Sequence, residues 1–318
     1  MVHILLHCGF HKTGTTYVQN KLWENRRLLA AHGIKYVRHR HTRKHFTVPY
    51  QLNAREKLGI DYKTKIGDAE LAVIRGEFFA GHVGTEHPFA LISDENFLGH
   101  AGDVARYGGL YRFRRAFLDA LATQLEGEDS VESVRIFCCI RNYADFFAAS
   151  YSEYLRSAKA ENFEAPEVMK ERVFEKRPSW VSLLKSMRSR LPGAEIVVWR
   201  YEDFRAVTDR VFEALCMGRV PGAHLKEPSD GKPRPSASAE ALRAFFDIVA
   251  ARGAKAAFAA RRNLELQFPK NPGSPGFDPW TADERMAVNA DYPRHWERIR
   301  NMPSVRLIER QVPRLVAC

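Results

Sequence analysis

The chain has 318 residues, 45% hydrophobic and 27% charged, a globular balance that excludes a wholly disordered or fibrous chain and allows a core held by packing alone. Forty-nine Lys and Arg against 38 Asp and Glu give +11, which favours an anionic partner: nucleic acid, a membrane surface, an acidic polymer or a phosphorylated cofactor. No apolar run reaches the roughly 18 residues that span a bilayer, and the opening residues lack the basic leader of a signal peptide. The five cysteines (Cys8, Cys138, Cys139, Cys216, Cys318) follow no framework spacing, so a reducing, cytoplasmic setting is expected.

Val2 to Cys8 is mostly apolar and ends at Gly9, and Val18, Leu22 and Leu29 recur near helical spacing within Thr15 to Ala31. The chain therefore opens as strand, glycine turn, helix. Gly33 stands where a helix ends and Ile34 to Val37 reads as a second strand, a βαβ start of the kind that builds parallel sheets. Residues 38–67 read as an irregular basic loop. Four Lys or Arg and three His fall within Arg38 to His45 without a metal-ligand spacing, so a solvated loop facing the substrate is expected, with Arg40 and Arg43 holding an anionic or carbohydrate acceptor.

Ala69 to Ala80 reads as a helix, and Phe89 to Ser93 as a buried strand that delivers Asp94 and Glu95 at its end. Leu110 to Leu125 is helical in pattern. Val134 to Ile140 is another β-rich run, ending at Arg141 before the amphipathic stretch Asp145 to Ser157. Trp180 to Leu191 reads as helix, Glu195 to Trp199 as strand and Asp203 to Leu215 as helix. Residues 220–237 and 268–280 are rich in Pro and Gly and read as loops, with helices over Ala239 to Ala251 and Thr281 to Arg300. The expectation is one α/β domain over residues 1–318, a parallel sheet flanked by helices, with residues 220–318 a cover of helix and loop.

Between the first strand and first helix lies Gly9-Phe10-His11-Lys12-Thr13-Gly14-Thr15-Thr16, where main-chain N–H groups and the helix dipole converge on an anion site. The glycines allow a tight turn, Lys12 supplies a point charge, and Thr13, Thr15 and Thr16 offer hydroxyl donors. A turn that merely closes the junction would explain Gly9 and Gly14 but not Lys12 with three threonines. The octet is not the nucleotide triphosphatase loop, because Thr15 stands where that loop has its Lys.

The octet resembles the phosphosulfate loop of sulfotransferases that use 3′-phosphoadenosine 5′-phosphosulfate (PAPS), in the form found in bacterial members. That family has an Arg after a later strand and a Ser eight residues on, which bind the 3′-phosphate. Arg141 matches the Arg; Ala149 stands at the serine position and Ser150 follows it. Trp199 to Asp203 and Ser236 to Leu242 are similar to two further family segments. The resemblance spans residues 2–250 and implies a P-loop-like fold and sulfuryl transfer from PAPS to a hydroxyl or amine without a metal.

On that reading Gly9, His11, Lys12, Thr13, Gly14, Thr15, Thr16, Arg141 and Ser150 hold the cofactor, and Lys12 neutralises the leaving phosphate. Glu95 is the expected base, with Asp94, His11 and His100 as competitors. An Arg141–Asp145 ion pair is the ordinary alternative for that arginine. Arg261, Arg262 and Lys270 fall in a loop-rich region able to close over the 3′-phosphate. The acceptor is a small molecule or glycan. Two other readings stand beside this one: a P-loop kinase using ATP and Mg²⁺ held by Asp94 or Glu95, and a basic nucleic-acid-binding module, for which no recognised motif is present.

Overall fold

Among the described residues, six short runs with Val, Ile, Leu, Phe or Cys at half or more of their positions form the strands: β1 Val2–Gly9, β2 Ile34–Val37, β3 Phe89–Ser93, β4 Val131–Ile140, β5 Glu195–Arg200 and β6 Val305–Ile308. They make one sheet in the order β2-β3-β1-β4-β5-β6, with every pairing parallel. The structure is a computed structural model that describes residues 1–229, 237–271 and 275–310. Ser236 and Cys318 lie outside the described residues.

Continuous apolar runs are what a parallel sheet covered on both faces requires. Side chains alternate along each strand. Ile4, Leu6, Cys8, Ile136 and Cys138 enter one core with the helices Tyr143–Ser157 and Trp180–Arg190. Leu5, Leu91, Phe137, Cys139 and Trp199 enter another with the helices Thr15–Glu24 and Phe204–Leu215. The result is the expected α/β architecture, a parallel sheet between helical layers. Cys8, Cys138, Cys139 and Cys216 are all buried and free. No helix among the described residues is long and apolar enough to cross a membrane.

Two regions differ from the sequence reading. The basic stretch after β2 is helical rather than irregular: an α-helix His39–Thr42, a π-turn Arg43–Thr47 and an α-helix Val48–Lys57 follow without interruption. Its buried stripe includes Thr42, Thr47, Gln51 and Asn53 beside Phe46 and Tyr50, so hydrophobic periodicity is diluted. Pro49 has no N–H for the ladder, and the π-turn just before it shifts the hydrogen-bond register there. The second difference is β6, which pairs with β5 through Ile196–Val305 to Trp199–Ile308. Four residues at a sheet edge, one of them Arg306, give almost no period-two signal. The C-terminal third is thus helix and loop plus one edge strand.

The strand order positions the site. The chain leaves β1 toward β2 on one side, while β4 and β5 lie on the other. A crevice therefore opens outside the carboxyl ends of β1, β3 and β4. Those three ends carry Gly9, Glu95 and Arg141.

Candidate active site

The helix Thr15–Glu24 starts without any side-chain cap and has no acidic residue in its first turn. Its first N–H groups are therefore left for a ligand, beside the positive end of the helix dipole. Gly9 and Gly14 have φ of 89° and 84°, a region costly for other residues. At Gly9 a Cβ would also lie 2.8 Å from Thr15 Cγ2 and 3.2 Å from Glu95 Cβ. The turn is thus closed against both the helix and the end of β3.

Lys12 Nζ lies 2.6 Å from Glu153 Oε2 on the helix Tyr143–Ser157. Thr15 and Thr16 face the crevice together with Lys12 and Gly14. Thr13 does not: its hydroxyl donates to the Phe10 carbonyl at 2.5 Å and the residue is buried, so it shapes the loop from inside. His11 is also committed. Its Nε2 is 2.8 Å from Asn96 Oδ1 and its Nδ1 is 2.9 Å from the Tyr111 hydroxyl. With Nε2 donating and Nδ1 accepting, no lone pair is free for a base, and burial lowers its pKa to about 4.

Asp94 and Glu95 part company at the end of β3. Asp94 is fully buried and takes the Arg43 guanidinium at 2.6 Å, while Glu95 faces the crevice and meets the same Arg43 at 2.9 Å. Gln19 Nε2 donates to Glu95 Oε2 at 2.8 Å. Burial pushes both carboxyls up. Arg43, His11 and Gln19 overcome this at Glu95 and hold it well below the usual range, whereas Asp94 is left raised by its burial and the Glu95 charge. Arg43 is therefore paired with both carboxylates and also lines the crevice.

Arg141 emerges from β4 and is pinned on three sides. Nη1 donates to the Lys12 carbonyl at 3.0 Å, Nη2 is 3.4 Å from Asp145 Oδ2, and the guanidinium lies 4.6 Å above the centre of the Tyr201 ring. The Arg141–Asp145 pair is present, but Asp145 is also held by Arg285 at 2.7 Å. Arg141 Nε is buried without a hydrogen-bond partner.

Ser150 is not on the crevice wall: it is fully buried, and its hydroxyl has no hydrogen-bond partner. One residue turns about 100° around a helix, so the crevice face carries Asp145, Ala148, Ala149, Ser152 and Glu153 instead. The position the resemblance requires is Ala149, which has no hydroxyl.

One cleft of 1290 Å³ joins these parts: the Lys12 loop, Arg43, Glu95, Arg141 and, from the C-terminal third, Lys270, Phe277 and Arg285. Lys270 lines the cleft; Arg261 and Arg262 lie in the helix Ala254–Gln267 rather than in a loop and do not line it, and Arg261 donates to the Leu155 carbonyl. Tyr201 reaches the cleft from the family-like segment Trp199 to Asp203, whereas Glu153, Asp278 and Arg285 were not singled out from the sequence, because their places arise only from packing between distant segments.

No protein-family model and no curated protein matches this chain. Among solved structures, a sulfotransferase from Alicyclobacillus acidocaldarius is similar, with 13% identity and a TM-score of 0.39 over 86% of this chain and 98% of that one.

Proposed function

We propose that this protein is a sulfotransferase that moves a sulfuryl group from PAPS to a hydroxyl or amine of a small-molecule or glycan acceptor, acting in the cytoplasm. The observation that carries the reading is the single cleft shared by the uncapped helix start, Lys12, Arg141 and Glu95. Its residues suit the cofactor: two glycines let backbone N–H groups close on an anion, and Arg141 holds a buried, unpartnered Nε at a second position.

When bound, PAPS supplies an activated sulfuryl group attached to a phosphate leaving group. Lys12 and the N–H groups of the helix start provide positive charge where charge develops on that phosphate. Arg141 holds the 3′-phosphate. With Ala149 at the serine position, Arg285 on the same wall supplies the complementary charge. Glu95, ionised and aimed into the cleft, orients the acceptor and takes its proton. Arg43 makes this carboxylate a weak base, so an acceptor that draws Arg43 aside strengthens it.

The kinase reading needs an acid available to Mg²⁺; Asp94 is enclosed against Arg43, and Glu95, which does face the cleft, is held by the same Arg43 and by Gln19. Thermal-shift titrations separate the two. The desulfated cofactor, 3′-phosphoadenosine 5′-phosphate, should raise the melting temperature in EDTA, and ATP with Mg²⁺ should not. Stabilisation by ATP only with Mg²⁺, and none by the desulfated cofactor, would replace this reading with the kinase.

A further inference from the structure

Three imidazoles converge on the side of the molecule formed by the two π-turns. His41 and His45 are four residues apart on the helical run after β2, and His82 comes from the π-turn Phe79–Val83. Their ligating nitrogens all lie within 4.8 Å of one another. The ring centres are 4.9 Å apart for His41–His82 and 5.2 Å for His45–His82. Beneath them Phe46 stacks on Phe78 at 4.8 Å, and Phe78 touches His82 at 5.7 Å. The two segments that carry the histidines are thus packed as a unit. Such turns are rare and frequently found at functional sites, and here two of them touch through His45–His82 and Phe46–Phe79.

We propose that His41, His45 and His82 bind one divalent first-row ion of the zinc class, with water completing its coordination. Three neutral nitrogen donors with no carboxylate or thiolate suit Zn²⁺ over Mg²⁺ or Ca²⁺. A Zn–N bond of about 2.0 Å places tetrahedral ligand atoms about 3.3 Å apart. Ligation requires the nitrogens to close from within 4.8 Å to that spacing, and the exposed His41 ring is the freest of the three to turn. Of the charged groups around them, Lys35 faces His82 from β2 and is itself 3.8 Å from Glu86.

The ion would clamp the helical run to the Phe79–Val83 turn. Arg43 lies between two of its ligands in sequence, and its guanidinium binds Asp94 and Glu95. A clamp here therefore fixes the segment that delivers Arg43 to the cleft, without entering the cleft itself.

Isothermal titration of chelator-treated protein with Zn²⁺ alone tests this, with no nucleotide present. The expected result is one ion per chain, affinity lowered at least tenfold by each of His41→Ala, His45→Ala and His82→Ala, and no competition from Mg²⁺. Hydrogen exchange should slow in residues 39–47 and 79–83 together. His41 is exposed, so its replacement leaves the fold intact and gives a clean comparison. Unchanged affinity in His82→Ala would reduce the site to a surface pair four residues apart and overturn the proposal, as would failure of Zn²⁺ to bind at micromolar concentration.

Discussion

The two basic walls of the cleft are built by different means. On the β1 side the positive character comes largely from backbone, an uncapped helix start and two glycines with positive φ within Gly9 to Thr16, joined by one side chain, Lys12, which is paired with Glu153. On the β4 side it comes from side chains gathered across the sequence, with Arg141 held by the Lys12 carbonyl, Asp145 and the Tyr201 ring, and Arg285 tied to Asp145 and Asp278. Backbone dipoles are fixed once the loop closes. A side-chain wall is set by competing ion pairs and can be rearranged by a ligand. The first wall therefore suits the group at which charge changes, and the second suits recognition of a group that does not react.

The comparison breaks most visibly at Lys12. Lys12→Ala should lower the initial rate of transfer on the order of a hundredfold or more, because it removes the charge opposing the departing phosphate. Near-normal turnover in a sulfate-transfer assay would remove Lys12 from the chemistry.

Acid should loosen the β1 side. His7 and His11 are both buried, and burial lowers each to about 4 against the ordinary 6.5. With folded values below the unfolded one, the unfolded chain takes up protons first as pH falls. Their stabilisation is complete above 6.5 and is lost toward 4. Between pH 7 and pH 5 each should lose about 2 kcal/mol. The raised Asp94 works in the opposite sense and offsets part of this. Urea unfolding at the two pH values should show a net loss; equal stability would mean the imidazoles are not neutral in the fold.

The glycines sharpen the same comparison. A Cβ at Gly14 meets only Phe204 and Tyr201 carbons at 3.5 Å, an ordinary contact, while one at Gly9 collides with Thr15. Gly14→Ala should lose about 1 kcal/mol through φ alone, and Gly9→Ala more than that, read from denaturant midpoints. On the β4 side the smallest effect is expected: Ala149→Ser should tighten binding of a 3′-phosphorylated nucleotide a fewfold, while Ser150→Ala leaves binding unchanged, both by calorimetry.

What the sequence made legible follows the same division. The octet could be read directly because its parts are neighbours and each residue type has a local reason to be there. Arg141 was legible as a strand-end arginine with Asp145 as a partner, but its contacts with the Lys12 carbonyl and the Tyr201 ring were not. Ser150 was misplaced by one residue, which on a helix is the difference between cleft and core. The pairing of Arg43 with Asp94 and Glu95 was hidden because residues 38–67 were read as loop from their charge. Their buried stripe mixes Thr, Gln and Asn with aromatics, and a π-turn breaks the period at Arg43 to Thr47. Glu95 as a cleft-facing acid was legible from its place after β3; that Asp94 would turn inward was set by tertiary packing.

In the proposed function one cleft holds two phosphate positions, one at the glycine loop and one at Arg141. Calorimetric titration of 3′-phosphoadenosine 5′-phosphate and of adenosine 5′-phosphate, in EDTA, into wild type and Arg141→Ala tests it most directly. The account predicts that wild type prefers the 3′-phosphorylated nucleotide by at least tenfold, as for a charged hydrogen-bonded contact, and that Arg141→Ala loses the preference while still binding both. Equal affinity of wild type for the two nucleotides would contradict it.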